Sequence, residues 1–368
     1  MKVIYFIRNA LQLYPPCINQ ICYLDDLGVD VTVYFGECTE NVKLIFDERK
    51  IRYIDFNIKR NFKGVIGKLE SIIKYKNCVK KILNSKIDRD SILWFGTADS
   101  AFMVSNLIKN KNYVLSILEL YDDNNFYRRN IEKIIKNALA VIVCEENRAS
   151  IMKHWWNLRE KPFIMPNKPY FHPQKLRITP TSDLTKNAID LIKNKKIILY
   201  QGIISKDREL NILAKALHLL NKDIYLVLMG NEINASVDKI KTIYKKTLYL
   251  GYIPAPLHLE ITSYASIGIA NYDDSSLNNI YCAPNKIYEY SGFGLPMLCS
   301  DVIGLKYTVG LYKAGICCNF KNIIEVAQGI LNILESYQEY SLNAKLMFDT
   351  TDNYLVVKKI IKRLEEVQ

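Results

Sequence analysis

The chain has 368 residues, of which 49% are hydrophobic and 24% are charged, and its formal net charge is +12. This length suits two globular domains of roughly 100–200 residues each. No apolar run reaches the about 18 residues that span a bilayer, and Arg8 ends the apolar run at residues 3–7 too early for a signal peptide. The composition therefore predicts a cytoplasmic globular protein and excludes an integral membrane protein.

Cysteine spacing and net charge narrow the classes of partner. The nine cysteines form no C-x-x-C pair and the four histidines are scattered along the chain, so no metal site is predicted. The positive charge indicates an anionic partner, which leaves nucleic acid, anionic lipid and phosphorylated substrates open.

The first half of the chain predicts a doubly wound parallel sheet. Residues 2–7 suit a buried strand, residues 8–16 a loop, residues 18–27 a helix and residues 31–35 a second strand. No glycine follows the first strand, so the G-x-G-x-x-G fingerprint is absent and no dinucleotide cofactor is expected. Further strands are expected at residues 51–55, 92–95, 113–118, 140–144 and 162–165.

Polar clusters follow three of these strands, at residues 8–9, 97–100 and 119–123. Ligands of such sheets bind beyond the carboxyl ends of the strands. The alternative for the third cluster is a loop that caps the next helix, with Asp122 and Asp123 in its first turn. We interpret these two aspartates as capping residues. The candidate ligand-binding residues of these clusters are Asn9, Asp99 and Glu119.

Residues 58–87 predict a basic amphipathic helix. They contain nine Lys or Arg residues against the single acidic residue Glu70, and apolar residues recur at helical intervals. Such a helix can lie on an anionic membrane surface, or it can pack on the sheet with a solvated basic back, and both can hold at once. Aromatic residues are sparse among these charges, so no stacking platform for nucleic acid is predicted.

The second half predicts another doubly wound sheet after a proline-rich linker that begins at Pro166. The expected domains are residues 1–175 and 176–350, and a closing helix at residues 351–368 is expected to cross back to the first domain. A helix is expected at residues 183–193. Strands are expected at residues 197–200, 225–229 and 247–250, followed by Gly202, Gly230 and Gly251 with Tyr252.

The turn that begins at Gly202 has the features of a phosphate site. A residue without a side chain lets the backbone approach a diphosphate, and the amide end of the predicted helix at residues 209–220 points towards it. Lys206 and Arg208 lie in this turn, and a guanidinium can hold a phosphate bidentately. Solvent-facing cations are the alternative, but they oppose the helix dipole at this position, which favours a binding role.

Residues 283–301 contain one charged residue on an otherwise apolar helix. Pro284 suits the first turn of that helix, and the glycines and proline at residues 292–296 predict its end before a buried strand at residues 297–299. Glu289 lies mid-helix among apolar neighbours, where a buried carboxylate needs a partner such as the hydroxyls of a ribose. Pairing with Lys286 on a solvated face is the alternative, and spacing alone slightly favours that alternative.

The motif PNKIYEY at residues 284–290, followed by GLP, resembles the donor-site motif of bacterial GT-B glycosyltransferases of the retaining family 4 type, in the surface-polysaccharide branch. The resemblance implies an α/β protein with the GT-B fold, in which two doubly wound Rossmann-like domains face each other across a cleft. It also implies a hexosyltransferase that moves a sugar from a nucleotide diphosphate sugar to a hydroxyl of a lipid-linked surface glycan. Matching segments are YQG at 200–202, REL at 208–210, LVLMG at 226–230 and LGYIP at 250–254.

The resemblance assigns roles to individual residues. Glu289 is similar to the glutamate that holds the donor ribose, whereas Tyr281 stands where family members commonly carry another glutamate. The implied catalytic residues are Glu119, Arg208 and Lys286, and the implied acceptor-side residues are Asn9, Asp99 and Glu119. The implied nucleotide-sugar contacts are Gly202, Lys206, Arg208, Gly230, Tyr252, Asn285, Lys286 and Glu289.

The resemblance also implies partners and excludes a metal cofactor. The adjacent aspartates at residues 122–123 and 273–274 are typical of loops, and GT-B enzymes generally act without a bound metal. The expected partners are a nucleotide sugar, a glycan or lipid-linked acceptor, and an anionic membrane surface bound through residues 58–87, without nucleic acid. These features place the protein in the cytoplasm at the inner face of the membrane, in capsule or lipopolysaccharide synthesis.

Two other functions stay open. A nucleotide-sugar 2-epimerase shares the two-domain architecture, although it is expected to carry more acid-base residues than the sequence shows. A non-catalytic GT-B partner protein is the other alternative, because Tyr281 replaces an expected carboxylate.

Overall fold

A computed structural model describes residues 1–58, 64–85, 91–205, 208, 210–234 and 236–367. The chain divides into two compact units. The first unit comprises Met1–Tyr170 with Asp352–Gln368, and the second unit comprises Phe171–Thr351.

The first unit is built on a parallel sheet. Its strands are β1 (Lys2–Ala10), β2 (Asp30–Glu37), β3 (Arg52–Asp55), β4 (Ile92–Phe95), β5 (Tyr113–Ile117), β6 (Ala140–Val143) and β7 (Phe163–Ile164). Among the described residues they form a seven-stranded sheet in the order β3-β2-β1-β4-β5-β6-β7, so the direction of winding reverses between β1 and β4. The central strands are buried on both faces, which explains their continuous apolar runs and confirms the predicted strands.

The helices of the first unit connect these strands. They are α1 (Pro15–Asp26), α2 (Glu40–Arg49), α3 (Gly64–Ser85), α4 (Ala98–Phe102), α5 (Asn125–Ile135) and α6 (Glu146–Trp155). The loop predicted at residues 8–16 is wrong, because β1 continues to Ala10 and α1 begins at Pro15. The backbone N–H of Arg8 donates to Ser100 Oγ at 2.9 Å, a contact across 92 positions that helps to hold this extension and that no local pattern reveals.

The start of α5 corrects a second expectation. Asn124 is the N-cap residue, and its side-chain oxygen accepts a hydrogen bond from the N–H of Tyr127 at 3.1 Å. Asp122 and Asp123 precede the cap, so their predicted capping role is wrong. Tyr121 adopts a left-handed conformation with φ of 57° and turns the chain just before this cap.

The second unit repeats the same winding pattern. Its strands are β8 (Ile197–Gln201), β9 (Tyr225–Met229), β10 (Thr247–Tyr249), β11 (Ile267–Ala270), β12 (Met297–Ser300) and β13 (Gly315–Cys318). The described residues form a six-stranded parallel sheet in the order β10-β9-β8-β11-β12-β13, which reverses between β8 and β11. Sequence analysis anticipated the strands at 197–200, 225–229, 247–250 and 297–299 and missed β11 and β13.

Helices cover this second sheet. They are α7 (Asp183–Ile192), α8 (Leu210–Leu220), α9 (Ser236–Ile243), α10 (His258–Thr262), α11 (Leu277–Ile280), α12 (Asn285–Gly292), α13 (Ile303–Leu305), α14 (Ile323–Glu335) and α15 (Tyr337–Thr350). Pro284 was expected in the first turn of α12, but it is the N-cap residue that immediately precedes the helix.

The last helix, α16 (Asn353–Val367), packs within the first unit. Val357, Ile360 and Leu364 are fully buried in the same core as β1 and α1. The Nδ2 of Asn353 donates to the carbonyl of Pro166 at 2.8 Å and fixes the start of the helix. No helix in the described part of the chain is both long and apolar enough to cross a membrane.

Candidate functional site

The second unit gathers most of the predicted donor residues at the carboxyl end of its sheet, where the strand order reverses. We call Gln201, Arg208, His258, Lys286 and Glu289 the Glu289 cluster. Gln201 ends β8, Arg208 follows it, His258 begins α10, and α12 carries Lys286 and Glu289 on successive turns. A reversal point of a doubly wound sheet is the usual position of a ligand crevice.

Two side chains hold the carboxylate of Glu289. The Nε2 of Gln201 donates to Oε2, and the Nε2 of His258 lies 3.3 Å from Oε1. The Glu289 side chain is 15% exposed, so it does not lie on a solvated face. Burial raises the pKa of Glu289, but His258 and Lys286 outweigh this effect and hold the pKa below its ordinary value. The group is therefore an anion in a fixed orientation.

Gln201 is itself fixed, which makes the arrangement around Glu289 rigid. Its Oε1 accepts a hydrogen bond from the hydroxyl of Thr262 at 2.8 Å, and its backbone N–H donates to the hydroxyl of Tyr290 at 3.3 Å. A carboxylate offers about four lone-pair sites, so Glu289 can accept further hydrogen bonds after those from Gln201 and His258.

The backbone of Glu289 is held from the other side by His172. The Nδ1 of His172 accepts a hydrogen bond from the N–H of Gln174 at 3.0 Å, so its proton lies on Nε2, which donates to the carbonyl of Glu289 at 2.9 Å. Burial lowers the pKa of His172 to about 4. The ring is thus neutral at physiological pH and acts as a fixed donor to α12.

Lys286 lies one turn before Glu289 on α12, and Arg208 lies near Lys286. The Nζ of Lys286 lies 4.5 Å from the ring centre of Tyr200 and 5.6 Å from that of Tyr272, and the guanidinium of Arg208 lies 4.6 Å from the same Tyr272 ring. Burial lowers the pKa of Lys286 to about 8, and repulsion from Arg208 contributes to the shift. Burial and this repulsion both disfavour the charged form of Lys286, and an anion bound nearby would stabilise that charged form again.

The backbone of Arg208 is fixed by the end of β11. The Nδ2 of Asn271 donates to the carbonyl of Arg208, and Tyr272, the next residue, lies against its guanidinium. Two consecutive residues that follow β11 therefore position Arg208: Asn271 holds its backbone and Tyr272 contacts its guanidinium.

Glycines let the ends of β8 and β9 approach each other closely. A Cβ on Gly230 would lie 1.9 Å from the carbonyl oxygen of Gly202, and one on Gly202 would lie 3.1 Å from the Nζ of Lys286. Both residues adopt positive φ, 126° at Gly202 and 145° at Gly230, which L side chains rarely reach. The turn therefore requires glycine at both positions and brings exposed backbone next to the Lys286 ammonium.

The remaining predicted donor residues lie in the same unit. Tyr252 follows β10 and is 59% exposed, and Asn285 is the first residue of α12. Lys206 lies outside the described residues. The predicted roles of all the donor residues stay predictions at this point.

The first unit brings together a different cluster at the reversal between β1 and β4, which we call the Asp99 cluster: Arg8, Asn9, Thr97, Asp99 and Ser100. Asp99 is buried, and its Oδ2 pairs with the Nη2 of Arg8 at 2.7 Å and accepts from the Nδ2 of Asn9 at 3.1 Å. Its Oδ1 accepts from the hydroxyl of Thr97 at 2.7 Å. The predicted residues Asn9 and Asp99 are thus brought together, with Asp99 bonded through both oxygens.

Glu119 lies apart from these contacts. Its carboxylate is 51% exposed and its Oε2 lies 3.3 Å from the Nη1 of Arg148. Arg148 also donates to the carbonyl of Leu118 at 2.6 Å, so its side chain braces the end of β5. The predicted catalytic role of Glu119 remains a prediction.

The paired aspartates after β11 behave as loop residues. Asp273 accepts hydrogen bonds from the N–H of Ser275 at 3.0 Å and from the Nδ2 of Asn279 at 2.7 Å, and Asp274 pairs with Lys321 at 2.9 Å. Within the described ranges, no group of three or more His, Cys, Asp or Glu side chains is arranged to hold a metal ion.

Gln201 and His258 were not predicted from the sequence as members of the candidate site. Gln201 lay inside the matching YQG segment, so its position next to Gly202 was the available signal. His258 carried no motif, since its contact with Glu289 spans 31 positions and depends on the packing of α10 beside α12.

Comparisons with known proteins address the fold. No protein-family model and no curated protein matches the sequence. HepE of Anabaena, solved in complex with UDP and glucose, superposes with a TM-score of 0.69 at 15% identity, over 100% of this chain and 99% of that chain. A glycosyltransferase from Rickettsia africae superposes with a TM-score of 0.69 at 14% identity, over 100% and 98% of the two chains.

A third solved structure also superposes on the whole chain. Sucrose-phosphate synthase from Thermosynechococcus elongatus superposes with a TM-score of 0.70 at 13% identity, over 100% of this chain and 99% of that chain. The chain has the GT-B fold. The predicted GT-B fold class is therefore confirmed, whereas the family 4 type and the surface-polysaccharide branch stay predictions. In this GT-B chain, the Glu289 cluster belongs entirely to the second unit.

Proposed function

We propose that the protein is a glycosyltransferase that binds a nucleoside diphosphate sugar at the Glu289 cluster. The observation that carries the proposal is a fixed, largely buried carboxylate close to Lys286, with Arg208 and an exposed glycine turn near that lysine. These groups match a nucleoside diphosphate, which offers two ribose hydroxyls as donors and a diphosphate as an anion. The GT-B fold of the chain is consistent with this activity.

Each residue has a role in the proposal. Glu289 accepts hydrogen bonds from the ribose, and His258 and Gln201 hold it in place. Lys286 and Arg208 bind the diphosphate together with the backbone at Gly202. The predicted contacts of Asn285, Gly230 and Tyr252 with the sugar, the diphosphate and the base belong to the same proposal, as does the predicted phosphate contact of Lys206.

The chemistry follows from the charges. The bond between the anomeric carbon and the diphosphate oxygen breaks, the acceptor hydroxyl forms a new bond to that carbon, and its proton is released. Negative charge develops on the departing diphosphate, and Lys286 and Arg208 stabilise it electrostatically. The reaction proceeds with retention and without a metal ion in this proposal. On the acceptor side, Asn9 and Glu119 contact the acceptor, and Asp99 holds Asn9 in position through its hydrogen bond.

The proposed acceptor is a lipid-linked surface glycan, such as a capsule or lipopolysaccharide precursor, at the inner face of the cell membrane. The positive net charge of +12 and the basic character of α3 support an anionic surface as the place of action.

The test is donor turnover. Purified protein is incubated with a panel of UDP, GDP and dTDP sugars, and release of nucleoside diphosphate and the identity of the sugar product are measured. We expect slow hydrolysis of one donor without acceptor, which Glu289→Gln abolishes and Glu335→Gln, an exposed change at the end of α14, preserves. An epimerised nucleotide sugar would instead show an epimerase, and no turnover of any donor would indicate a non-catalytic protein.

A further inference from the structure

Helix α3 has one apolar face that packs on the rest of the first unit. Tyr75, Val79 and Ile82 are buried on this face. The hydroxyl of Tyr75 donates to the carbonyl of Ser100 at 2.8 Å, and its ring meets that of Phe56 edge-on at 6.1 Å between centres. This face accounts for the attachment of the helix to the rest of the unit.

A second apolar stripe runs along the first half of the same helix and faces outward. The exposed fractions are 80% for Val65, 67% for Ile66, 59% for Leu69 and 54% for Ile73. An α-helix has 3.6 residues per turn, so Leu69 and Ile73 lie one turn apart, on the side opposite Tyr75. A helix that only packs on one surface needs one apolar stripe and a polar back, so packing within the described part of the unit does not require the outer stripe.

Positive charge accompanies this outer stripe. The helix carries Lys68, Lys74, Lys76, Lys80 and Lys81 against one acidic residue, Glu70. Glu70 pairs with Lys74 at 2.7 Å. Lys76 and Lys80 continue the line of Leu69 and Ile73 along the second half of the helix, so the outer face is apolar in its first half and cationic in its second.

We infer that the outer face of α3 docks on an anionic lipid surface, with Val65, Ile66, Leu69 and Ile73 entering the acyl boundary and Lys76 and Lys80 contacting the head groups. Apolar side chains next to lysines on one helix face are the chemistry of interfacial membrane helices. A second copy of the chain is a poorer occupant, because it would bring two sets of lysines together. The inference deepens the proposed function, since it rests on the lipid-linked acceptor that the proposal names.

The inference assigns membrane contact to only some residues of the predicted membrane-binding segment at residues 58–87. Only the part of it in α3 carries the inference, because Lys59, Arg60, Lys63 and Lys86 lie outside the described residues. Within α3, Ile82 and Val79 belong to the packed face rather than to the membrane face. The inference thus names which apolar residues contact lipid, which the sequence pattern did not separate.

The test is co-sedimentation of the full chain with vesicles rich in phosphatidylglycerol, with phosphatidylcholine vesicles as reference. We expect binding to the anionic vesicles that weakens as salt rises. The double variant Leu69→Ser with Ile73→Ser should lower the partition coefficient by about tenfold or more, because it removes most of the inserted apolar surface. Leu342→Ser with Leu346→Ser, a pair of exposed leucines one turn apart on α15, should change it by less than about twofold.

A charge-matched pair of variants tests the lysines. Lys76→Glu with Lys80→Glu should lower binding to anionic vesicles strongly, whereas Lys241→Glu with Lys245→Glu, exposed residues of the second unit with the same spacing, should lower it less. Circular dichroism of each variant checks that the fold is kept.

Three results would overturn the inference: no binding of the wild type to anionic vesicles, unchanged binding of the Leu69 and Ile73 double variant, or self-association that this variant abolishes in the absence of lipid. Donor hydrolysis in solution is measured in parallel and should be unchanged in the α3 variants. Loss of vesicle binding with normal hydrolysis therefore supports the membrane face, whereas vesicle binding without any donor turnover would count against the proposed function alone.

Discussion

The two strand-end clusters differ in how their charges are balanced. In the Asp99 cluster of the first unit, the carboxylate of Asp99 pairs with Arg8 and accepts hydrogen bonds from Asn9 and Thr97. In the Glu289 cluster of the second unit, one carboxylate is accompanied by Lys286 and Arg208. Burial, with repulsion from Arg208 added to it, lowers the pKa of Lys286 to about 8.

The difference separates a cluster that stabilises its unit from one prepared for an anionic ligand. Asp99 contacts Arg8 through both Nε and Nη2 and also accepts from Asn9 and Thr97, which fills the about four lone-pair sites of a carboxylate. Glu289 contacts only the two donors from Gln201 and His258 that are described above, so it keeps capacity for a ligand. Two cations held near one another destabilise the ligand-free protein, and an anion that binds there removes that cost. We therefore expect changes at Glu289 to affect donor binding and changes at Asp99 to affect stability.

The largest effect is expected for Glu289→Ala. Loss of two charge-assisted hydrogen bonds of about 1.5–3 kcal/mol each should raise the donor dissociation constant by about 100-fold or more. Isothermal titration with the nucleotide sugar that the wild type turns over measures this change. Asp99→Asn is the matched control from the other cluster and should leave donor affinity unchanged; an equal loss in both variants would remove the distinction between the clusters.

The reverse contrast is expected for stability. Asp99→Asn leaves Arg8 without its buried partner charge, which should lower the free energy of unfolding by about 3 kcal/mol. Urea denaturation with a probe of the first unit measures it. Arg52→Gln, which breaks an exposed ion pair with Asp30 in the same sheet, should cost less than about 1 kcal/mol. Equal costs for the two variants would show that the Asp99 cluster is not a stabilising core.

Gly230→Ala should disrupt the turn of the second unit. The added Cβ would meet the carbonyl oxygen of Gly202 at 1.9 Å in a backbone conformation with φ of 145°, which we expect to cost about 2 kcal/mol or more and to weaken donor binding. Gly28→Ala is the comparison in the first unit, because its φ is also positive, 72°, but no atom lies within 4 Å of the new Cβ. Thermal unfolding should rank Gly230→Ala as clearly the more damaging, and a reversed ranking would contradict the close approach.

The smallest effect is a pH dependence of donor binding. As pH rises through about 8, Lys286 in the ligand-free protein loses its proton, so binding of the diphosphate must take up a proton and should weaken by up to about tenfold per pH unit. Lys286→Arg keeps its charge in this range and should show a flat profile. Donor affinity is titrated in the wild type and in Lys286→Arg between about pH 7 and about pH 9.5, a range that brackets the pKa of Lys286. Parallel profiles in the two proteins would exclude Lys286 as the source of the pH dependence.

Strands with unbroken apolar runs were predictable from the sequence, and two strands that contain glycine were not. Gly268 in β11 leaves no room for a side chain, because a Cβ there would lie 2.3 Å from the ring of Tyr290. Gly315 in β13 similarly approaches the carbonyl of Met297. In the sequence these glycines resemble turn signals, whereas in the structure they are required by contacts with residues that are distant along the chain.

The site was predictable to the extent that its motif was local. Lys286 and Glu289 lie on one helix within the motif PNKIYEY, and the family resemblance of that motif, rather than its spacing, predicted a ligand-binding carboxylate there. His258 and Gln201, which hold that carboxylate, come from other elements 31 and 88 positions away. No periodicity connects such residues, so only the packed sheet and its helices reveal them.

The most direct test of the account is a crystal structure of the protein with a bound nucleotide sugar. The account predicts ribose hydroxyls within hydrogen-bond distance of the Glu289 carboxylate and diphosphate oxygens on Lys286 and Arg208. A nucleotide bound elsewhere, with Glu289 still contacting only Gln201 and His258, would contradict it.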